Sequence, residues 1–318
     1  MKKHYSYFPQ LVLLMFMAGV SFGQGSSGIY ESYVILNDSN NGNIYYDLQA
    51  NTTNPDFRNH DFGTFATSNP LHTLILSGGQ NKTFKCLPHN IFNGWLDYRI
   101  YQPASPLPLP GFTSTELFWS QDIVGAGPGC QNQVWESLTA NINVLNGLDS
   151  GDYFLEIYTH ADVDETNPIG TNLEGTRYAN DGGANYIATF RVDNPPVANC
   201  VTELTVPLDA TGTASITAND IDDGSTDDFG IDTLVIDIDT FDCNDIGTPV
   251  PVTLTVTDSI GQTDTCTVLV TVVDVTNPTA SNPATITVEC AGEVPAPDVS
   301  VVTDEADNCL GTVTVAHV

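Results

Sequence analysis

A run of aspartates in the second half of the chain is the pattern best suited to chemistry. Its members are Asp220, Asp222, Asp223, Asp227 and Asp228. Calcium takes about six to eight hard oxygen ligands, and carboxylates spaced along one loop can supply them. The spacing is not that of an EF-hand loop, because no glutamate closes it. The run predicts a calcium site; the alternative is a solvated acidic loop, the usual role of a charge run.

Other acidic residues offer weaker cation sites. Asp193 and Asp274 each precede a proline-containing segment, where calcium would stiffen the junction between two modules. The stretch from Asp162 to Glu174 resembles a calcium loop only at its start. Calcium is the one cofactor that the sequence suggests, and the absence of any cofactor stays the alternative.

Catalytic signatures are missing from the sequence. It has no nucleophile elbow, no H-E-x-x-H and no phosphate-binding loop. None of its histidines after the N-terminal segment stands at ligand spacing to another (His60, His72, His89, His160 and His317). The 39 acidic residues form carboxylate pairs by chance, which leaves a glycosidase-type pair open. We expect the chain to be non-enzymatic.

The three tryptophans offer either a sugar-stacking platform or core packing. Trp95 alternates with Asp97 and Arg99 along a predicted strand, which places its ring on the polar face. Trp119 and Trp135 are expected in the core, where large aromatic side chains most often lie.

The N-terminal segment and the charge indicate the compartment. Lys2 and Lys3 precede an apolar core at 11–20 and small residues at 21–23, which together are typical of a signal peptide. No stretch is long and apolar enough to cross about 30 Å of hydrocarbon. The net charge of −31 argues against nucleic acid and anionic membranes, which bind basic patches. The chain is predicted to be secreted or at the cell surface.

Apolar and polar residues alternate with period 2 through most of the chain. The clearest runs are 252–257 and 266–272, separated by a turn at 258–262. Further strands are predicted at 33–36, 44–48, 71–76, 95–101, 153–158 and 186–192, and a proline-rich surface loop at 103–110. This pattern predicts an all-β fold of tandem β-sandwich modules.

An internal repeat sets the predicted module limits. The lead-in Asp193-Asn194-Pro195 recurs as Asp274-Val275-Thr276-Asn277-Pro278, and a strand-like run and a cysteine lie near each copy. The predicted segments are a signal peptide at 1–23, an N-terminal β-sandwich at 28–192, an immunoglobulin-like module at 195–275 and a partial, truncated module at 278–318. Strand-like runs are predicted in the last segment at 286–288 and 312–318.

The seven cysteines are expected to form disulfides, as is typical of an exported protein. No C-x-x-C pair is present, which argues against zinc. Cys86 and Cys130 share the first module and are expected to pair. Because the number is odd, either one thiol is free or its partner lies beyond Val318.

Five segments of the second module carry a family resemblance: 209–214, 220–228, 241–243, 252–258 and 266–274. They resemble the hyalin-repeat-like (HYR-like) immunoglobulin-type domains of secreted, multi-domain Bacteroidota proteins. Segments 288–292 and 304–309 resemble a related repeat, and the first module is similar to an uncharacterised β-rich domain of such proteins. The family commonly has a cysteine where this chain has Phe229. The resemblance implies a Cys200–Cys266 disulfide and leaves Cys243 as the free thiol.

These features predict a non-enzymatic, exported surface or adhesin-type protein. Its β-sandwich modules would act as spacers and as interaction surfaces for an extracellular protein or glycan. The alternative is an accessory, carbohydrate-binding region of a secreted hydrolase whose catalytic domain lies beyond residue 318. A truncated third module also predicts that the chain is a piece of a longer protein.

Overall fold

The computed structural model describes residues 26–39, 42–124, 127–165, 173–309 and 311–316. The predicted signal peptide at 1–23 lies outside these residues. Nearly all of the regular secondary structure in the described part of the chain is β-strand, which confirms the predicted all-β class. Within it, no helix is both long enough and apolar enough to cross a membrane.

The first eleven strands belong to one sheet. They are β1 (Ser26–Asp38), β2 (Ile44–Asp47), β3 (Asp61–Ala66), β4 (Leu74–Cys86), β5 (Asn90–Tyr101), β6 (Thr113–Ile123), β7 (Cys130–Ser137), β8 (Ile142–Asn143), β9 (Gly151–Asp164), β10 (Gly175–Ala179) and β11 (Tyr186–Asp193). The strand order is β2-β1-β4-β7-β6-β5-β9-β11-β3, with β10 paired to β9 and β8 to β4. The proline-rich segment 103–110 contains no strand, because proline cannot donate to a central ladder.

Alternation along β9 shows why this sheet forms. Leu155, Ile157 and Ala161 are fully buried, while Tyr158 and His160 between and beside them are only partly buried. One face of the strand therefore enters the core, and the other carries polar and aromatic side chains outward.

The chain divides into two compact units. Unit 1 comprises Met1–Asp61, Leu74–Val144 and Phe154–Thr189, and unit 2 comprises Phe62–Thr73, Leu145–Tyr153 and Phe190–Val318. The module limits drawn from the sequence at 28–192, 195–275 and 278–318 stay a prediction.

Two further sheets lie in unit 2. The elements are β12 (Leu204–Leu208), β13 (Thr213–Ser215), α1 (Ala218–Ile221), β14 (Ile231–Ile236), β15 (Thr240–Asp242), β16 (Val250–Asp258) and β17 (Thr263–Asp274). The larger sheet has the order β12-β17-β16-β14, and β13 pairs with β15. Val252, Leu254 and Val256 alternate into the core, where Phe241 of β15 also packs. Side chains of both sheets thus share one core, as in a β-sandwich.

The segment after β17 contains no strand among its described residues. It forms short 3-10 helices at Ala291–Glu293 and Val299–Val301 and one isolated bridge between Thr279 and Ala306. The strand predictions at 286–288 and over 312–316 are therefore wrong, and residues 317–318 lie outside the described part. Ile286 is 68% exposed. Alternation alone does not form a strand where no neighbouring strand supplies a ladder.

Three disulfides are formed among the described cysteines. Cys86 bonds to Cys130 in unit 1, and Cys200 bonds to Cys266 in unit 2. The expectation of a free Cys243 is wrong, because Cys243 bonds to Cys309. The unbonded thiol is that of Cys290, which is exposed. The resemblance implied a disulfide within the 195–275 module alone and so missed Cys309, which lies beyond that module but packs into the core of unit 2.

Candidate functional site

The structure divides the predicted aspartate run into two groups, and the first caps local turns. Asp220 accepts hydrogen bonds from the Thr217 amide at 2.7 Å and from its hydroxyl at 2.8 Å. Asp222 accepts from the Ser225 amide at 2.9 Å. Hydrogen bonds from the amide and side chain of Thr217 lower the pKa of Asp220, and those from the side chain and amide of Ser225 lower the pKa of Asp222. The Asp223 side chain is exposed. Among the described residues, none of the three belongs to a group of three or more side chains that could hold a metal ion.

The second group meets an aspartate from another strand. Asp193, Asp227 and Asp228 each place one carboxylate oxygen within 4.8 Å of the other two. We call these three residues the Asp193 cluster; it lies within unit 2. It is the one group of three or more metal-ligating side chains found in the described part of the chain.

Backbone contacts fix Asp193 at the end of β11. Its carbonyl oxygen accepts from the Thr67 amide at 2.9 Å and from Gln262 Nε2 at 3.2 Å. Gln262 follows the turn between β16 and β17, and its side chain also donates to Asp258 Oδ2 at 3.0 Å. The Asp258 carboxylate therefore accepts a hydrogen bond within its own turn. Asp274, the other junction aspartate, accepts from the Thr276 amide at 2.9 Å and lies outside the cluster.

Burial gives the Asp193 carboxyl unusual electrostatics. The residue is 1% exposed, and no described residue donates a hydrogen bond to either of its carboxylate oxygens. Desolvation raises its pKa to about 7, with further contributions from the adjacent Asp228 and from Asp227 and Asp258. Two acidic groups that face each other cannot both ionise cheaply unless a proton or a cation lies between them.

A second candidate site is the outward face of β5, β9 and β10 in unit 1. Strand register places Trp95 opposite His160, and His160 opposite Tyr178. The ring centroids of Trp95 and His160 are 6.1 Å apart and nearly parallel, at 19°. His160 is 5.8 Å from Tyr178 and 6.1 Å from Tyr158, and Phe112 is 4.9 Å from Tyr158. We call these five residues the aromatic strip.

Carboxylates hold the rings of the strip in place. Trp95 Nε1 donates to Asp162 Oδ2 at 2.8 Å. His160 Nδ1 lies 2.6 Å from Asp97 Oδ2, and the Ser114 hydroxyl donates to Asp97 Oδ1 at 2.5 Å. Serine, histidine and aspartate thus meet, but not as a catalytic triad. In a triad the serine hydroxyl bonds to the histidine ring, whereas Ser114 donates to the aspartate.

The tryptophans fall in three environments. Trp95 is partly buried, as its position on the polar face suggested, and Trp135 is 6% exposed with Nε1 donating to Thr83. The core prediction for Trp119 is wrong, since its side chain is 54% exposed. From Phe118 onward β6 is exposed on both faces, so that ring stays largely in solvent.

Comparison with known proteins gives only distant similarities. No family model matches the chain, and no curated protein matches it. Among solved structures, it is similar to DIP-gamma IG1+IG2 (TM-score 0.26, 9% identity, covering 67% of this chain and 94% of that one). It is also similar to protocadherin gamma B7 extracellular cadherin domains 1–4 (TM-score 0.28, 13% identity, covering 71% and 53%). A third similarity is to the tandem Ig repeats of Dlar (TM-score 0.18, 9% identity, covering 68% and 94%).

Proposed function

We propose that this chain is an exported, non-enzymatic surface protein of the adhesion type, in which β-modules serve as spacers and binding surfaces. The HYR-like character of residues 195–275, the Bacteroidota origin and the predicted module limits belong to this proposal. The observation that carries it is the aromatic strip, a row of rings along the outward face of a sheet in unit 1.

The chemistry of the strip favours a glycan as the ligand. Aromatic rings offer a flat apolar face with a polar edge, which suits the mixed apolar and hydroxylated surface of a sugar. Asp162 and Asp97 hold Trp95 and His160 in fixed orientations, so little side-chain entropy is lost on binding. Tyr178 is 53% exposed and gives a ligand direct access to the strip.

Two further features support export and a role without catalysis. Disulfides persist in oxidising compartments, and three are formed here. The contact that most resembles a catalytic acid–base pair is that of His160 with Asp97. Its serine, Ser114, donates to Asp97 and not to His160, and the Trp95 ring stacks on the imidazole. This arrangement positions a ring and activates no nucleophile.

The test is a glycan array probed with the full chain, followed by affinity measurements on the oligosaccharide that binds best. Trp95→Ala should weaken binding about fivefold or more, because a lost aromatic contact is worth about 1 kcal/mol or more. Trp119→Ala is the matched control: it removes an exposed tryptophan that lies outside the strip. Equal losses in the two variants, or no glycan bound by the wild type, would contradict the glycan assignment.

The same strip also favours the second candidate, an accessory carbohydrate-binding region of a secreted hydrolase. In that case the bound glycan should be the polysaccharide cleaved by a catalytic domain of the same protein. An open reading frame that encodes further β-repeats and no hydrolase would support the adhesion-type function instead.

A further inference from the structure

We propose that Asp193, Asp227 and Asp228 bind a divalent cation and that the preferred ion is Ca²⁺. The site lies within unit 2, uses two residues of the aspartate run and one of β11, and is independent of glycan binding by the aromatic strip.

The spacing of the oxygens matches a calcium coordination sphere. One oxygen from each aspartate lies within 4.8 Å of the others. Because 4.8 Å is an upper limit on these separations, the three oxygens fit within the span of about 4.6–5.2 Å between oxygens on opposite sides of Ca²⁺. Mg²⁺ is usually held by only one or two carboxylates and keeps several waters, so three carboxylates at one site favour Ca²⁺.

An independent observation is the buried carboxylate of Asp193. The residue is 1% exposed, and both of its oxygens lack a hydrogen-bond donor in the described part of the chain. Asp227 Oδ1 is likewise buried without a donor. Buried polar atoms are nearly always satisfied, and leaving a carboxylate unsatisfied is costly. A single cation among these oxygens would satisfy all three.

Neighbouring contacts orient the oxygens before any ion arrives. Asp227 Oδ2 accepts from the Phe229 amide at 2.8 Å and from the Gly230 amide at 2.7 Å, so its Oδ1 is left for the ion. The backbone of Asp193 is held through its carbonyl oxygen by Thr67 and Gln262. Asp228 is exposed and leaves the outer side open to water. Water is needed there, because three carboxylates supply fewer than about seven ligand oxygens.

A shared proton between Asp193 and Asp228 is the competing explanation for the unpaired oxygens. A proton and an ion make opposite predictions for added calcium. If a proton fills the gap, Ca²⁺ has no specific effect on the chain. If an ion fills it, binding saturates and depends on each of the three carboxylates.

The test is calorimetric titration of the full chain with CaCl₂ and separately with MgCl₂, after removal of metals with EDTA and in about 0.15 M NaCl to screen non-specific binding. We expect saturable Ca²⁺ binding that Asp228→Asn weakens at least tenfold, with Mg²⁺ binding more weakly. Asp228 is exposed, so its substitution leaves the core intact. Asp193→Asn should abolish the binding.

Asp223→Asn is the matched control, since it removes the same charge from the same loop outside the cluster. It should change the calcium affinity less than twofold. In parallel, CaCl₂ should raise the melting temperature of the wild type and of Asp223→Asn, but not of Asp228→Asn. Equal loss of affinity in Asp223→Asn and Asp228→Asn would overturn the site. The absence of saturable Ca²⁺ binding would also overturn the site, and it would indicate that Asp193 and Asp228 share a proton instead.

Discussion

Removing the Cys243–Cys309 disulfide tests whether the chain beyond β17 is part of the folding unit formed by β12–β17. Cys243 begins a 3-10 helix that directly follows β15, and Cys309 is 9% exposed among the core residues of unit 2. The variant is Cys243→Ala with Cys309→Ala, so that no unpaired thiol is left at either end of the lost bond.

The expected loss of stability follows from the loop that the bond closes. The two cysteines are 66 residues apart. The loop-entropy relation gives about 15 cal/mol/K for this length, or about 4 kcal/mol at 25 °C. Cys200–Cys266 also spans 66 residues, so its removal should cost a similar amount. The two loops overlap between Cys243 and Cys266, and the two losses should therefore not add.

The assay must report on unit 2 alone. The three tryptophans all lie in unit 1, so their fluorescence does not follow unit 2. Urea-dependent hydrogen exchange, measured by mass spectrometry on peptides from β16 and β17, does. With a urea dependence of about 1–3 kcal/mol/M, the midpoint should fall by at least about 1 M. The control is Cys290→Ser, which alters an exposed, unbonded thiol and should leave the midpoint unchanged.

Two results would refute this reasoning. One is a loss below about 1 kcal/mol in the double variant, since loop closure alone should exceed that value. The other is a non-reducing peptide map in which Cys290 is bonded and Cys243 is free. The first result would show that the bond contributes little to the stability of this folding unit, and the second would restore the expectation that Cys243 is the free thiol.

Two further predictions concern unit 1. Gly78 has φ +149°, and a Cβ there would lie 1.9 Å from the Ser137 carbonyl oxygen. Gly78→Ala should therefore destabilise unit 1 by more than about 2 kcal/mol, measured by urea unfolding followed by tryptophan fluorescence. Gly111→Ala, which meets open space, should be neutral. Burial and a hydrogen bond to Glu136 raise the pKa of Tyr45 to about 12. Because the pKa of Tyr45 is higher in the folded than in the unfolded state, its contribution to the stability of the fold is complete below about pH 10. That contribution is lost as the pH rises towards 12. Tyr45→Phe should make that decline shallower, and equal tyrosine titration by absorbance in buffer and in urea would disprove the shift.

Strands were predictable from the sequence because their signal is local. The run 252–257 alternates strictly and the run 266–272 alternates except at Leu269, and they lie within β16 and β17. Alternation also predicted that the Trp95 ring lies on the polar face of β5. It failed for Asp97, which alternation assigned to an outward polar face but which is 2% exposed. Contacts with His160 and Ser114 bury this carboxylate, and they depend on the pairing of β5 with β9 and β6.

The Asp193 cluster could be predicted only in part. A threonine three residues before Asp220 is a capping signal, and it indicates that this carboxylate is used by the backbone at the start of α1. The sequence also shows that Asp227 and Asp228 are adjacent. It does not show that β11 ends beside them, since that contact joins residues 34 and 35 positions apart and depends on the fold around Gln262.

The disulfide at Cys309 has a consequence for the second predicted module. The 195–275 segment was defined by a repeated lead-in, which marks where similar sequence begins and not where a core is complete. Cys309 lies beyond that segment, yet it packs with Phe241 and the inward side chains of β16 and β17 and closes a covalent loop back to Cys243. A fragment that stops at Val275 would lose this bond and leave Cys243 as a free thiol. The smallest part of the chain that contains the whole core of β12–β17 must therefore extend through Cys309.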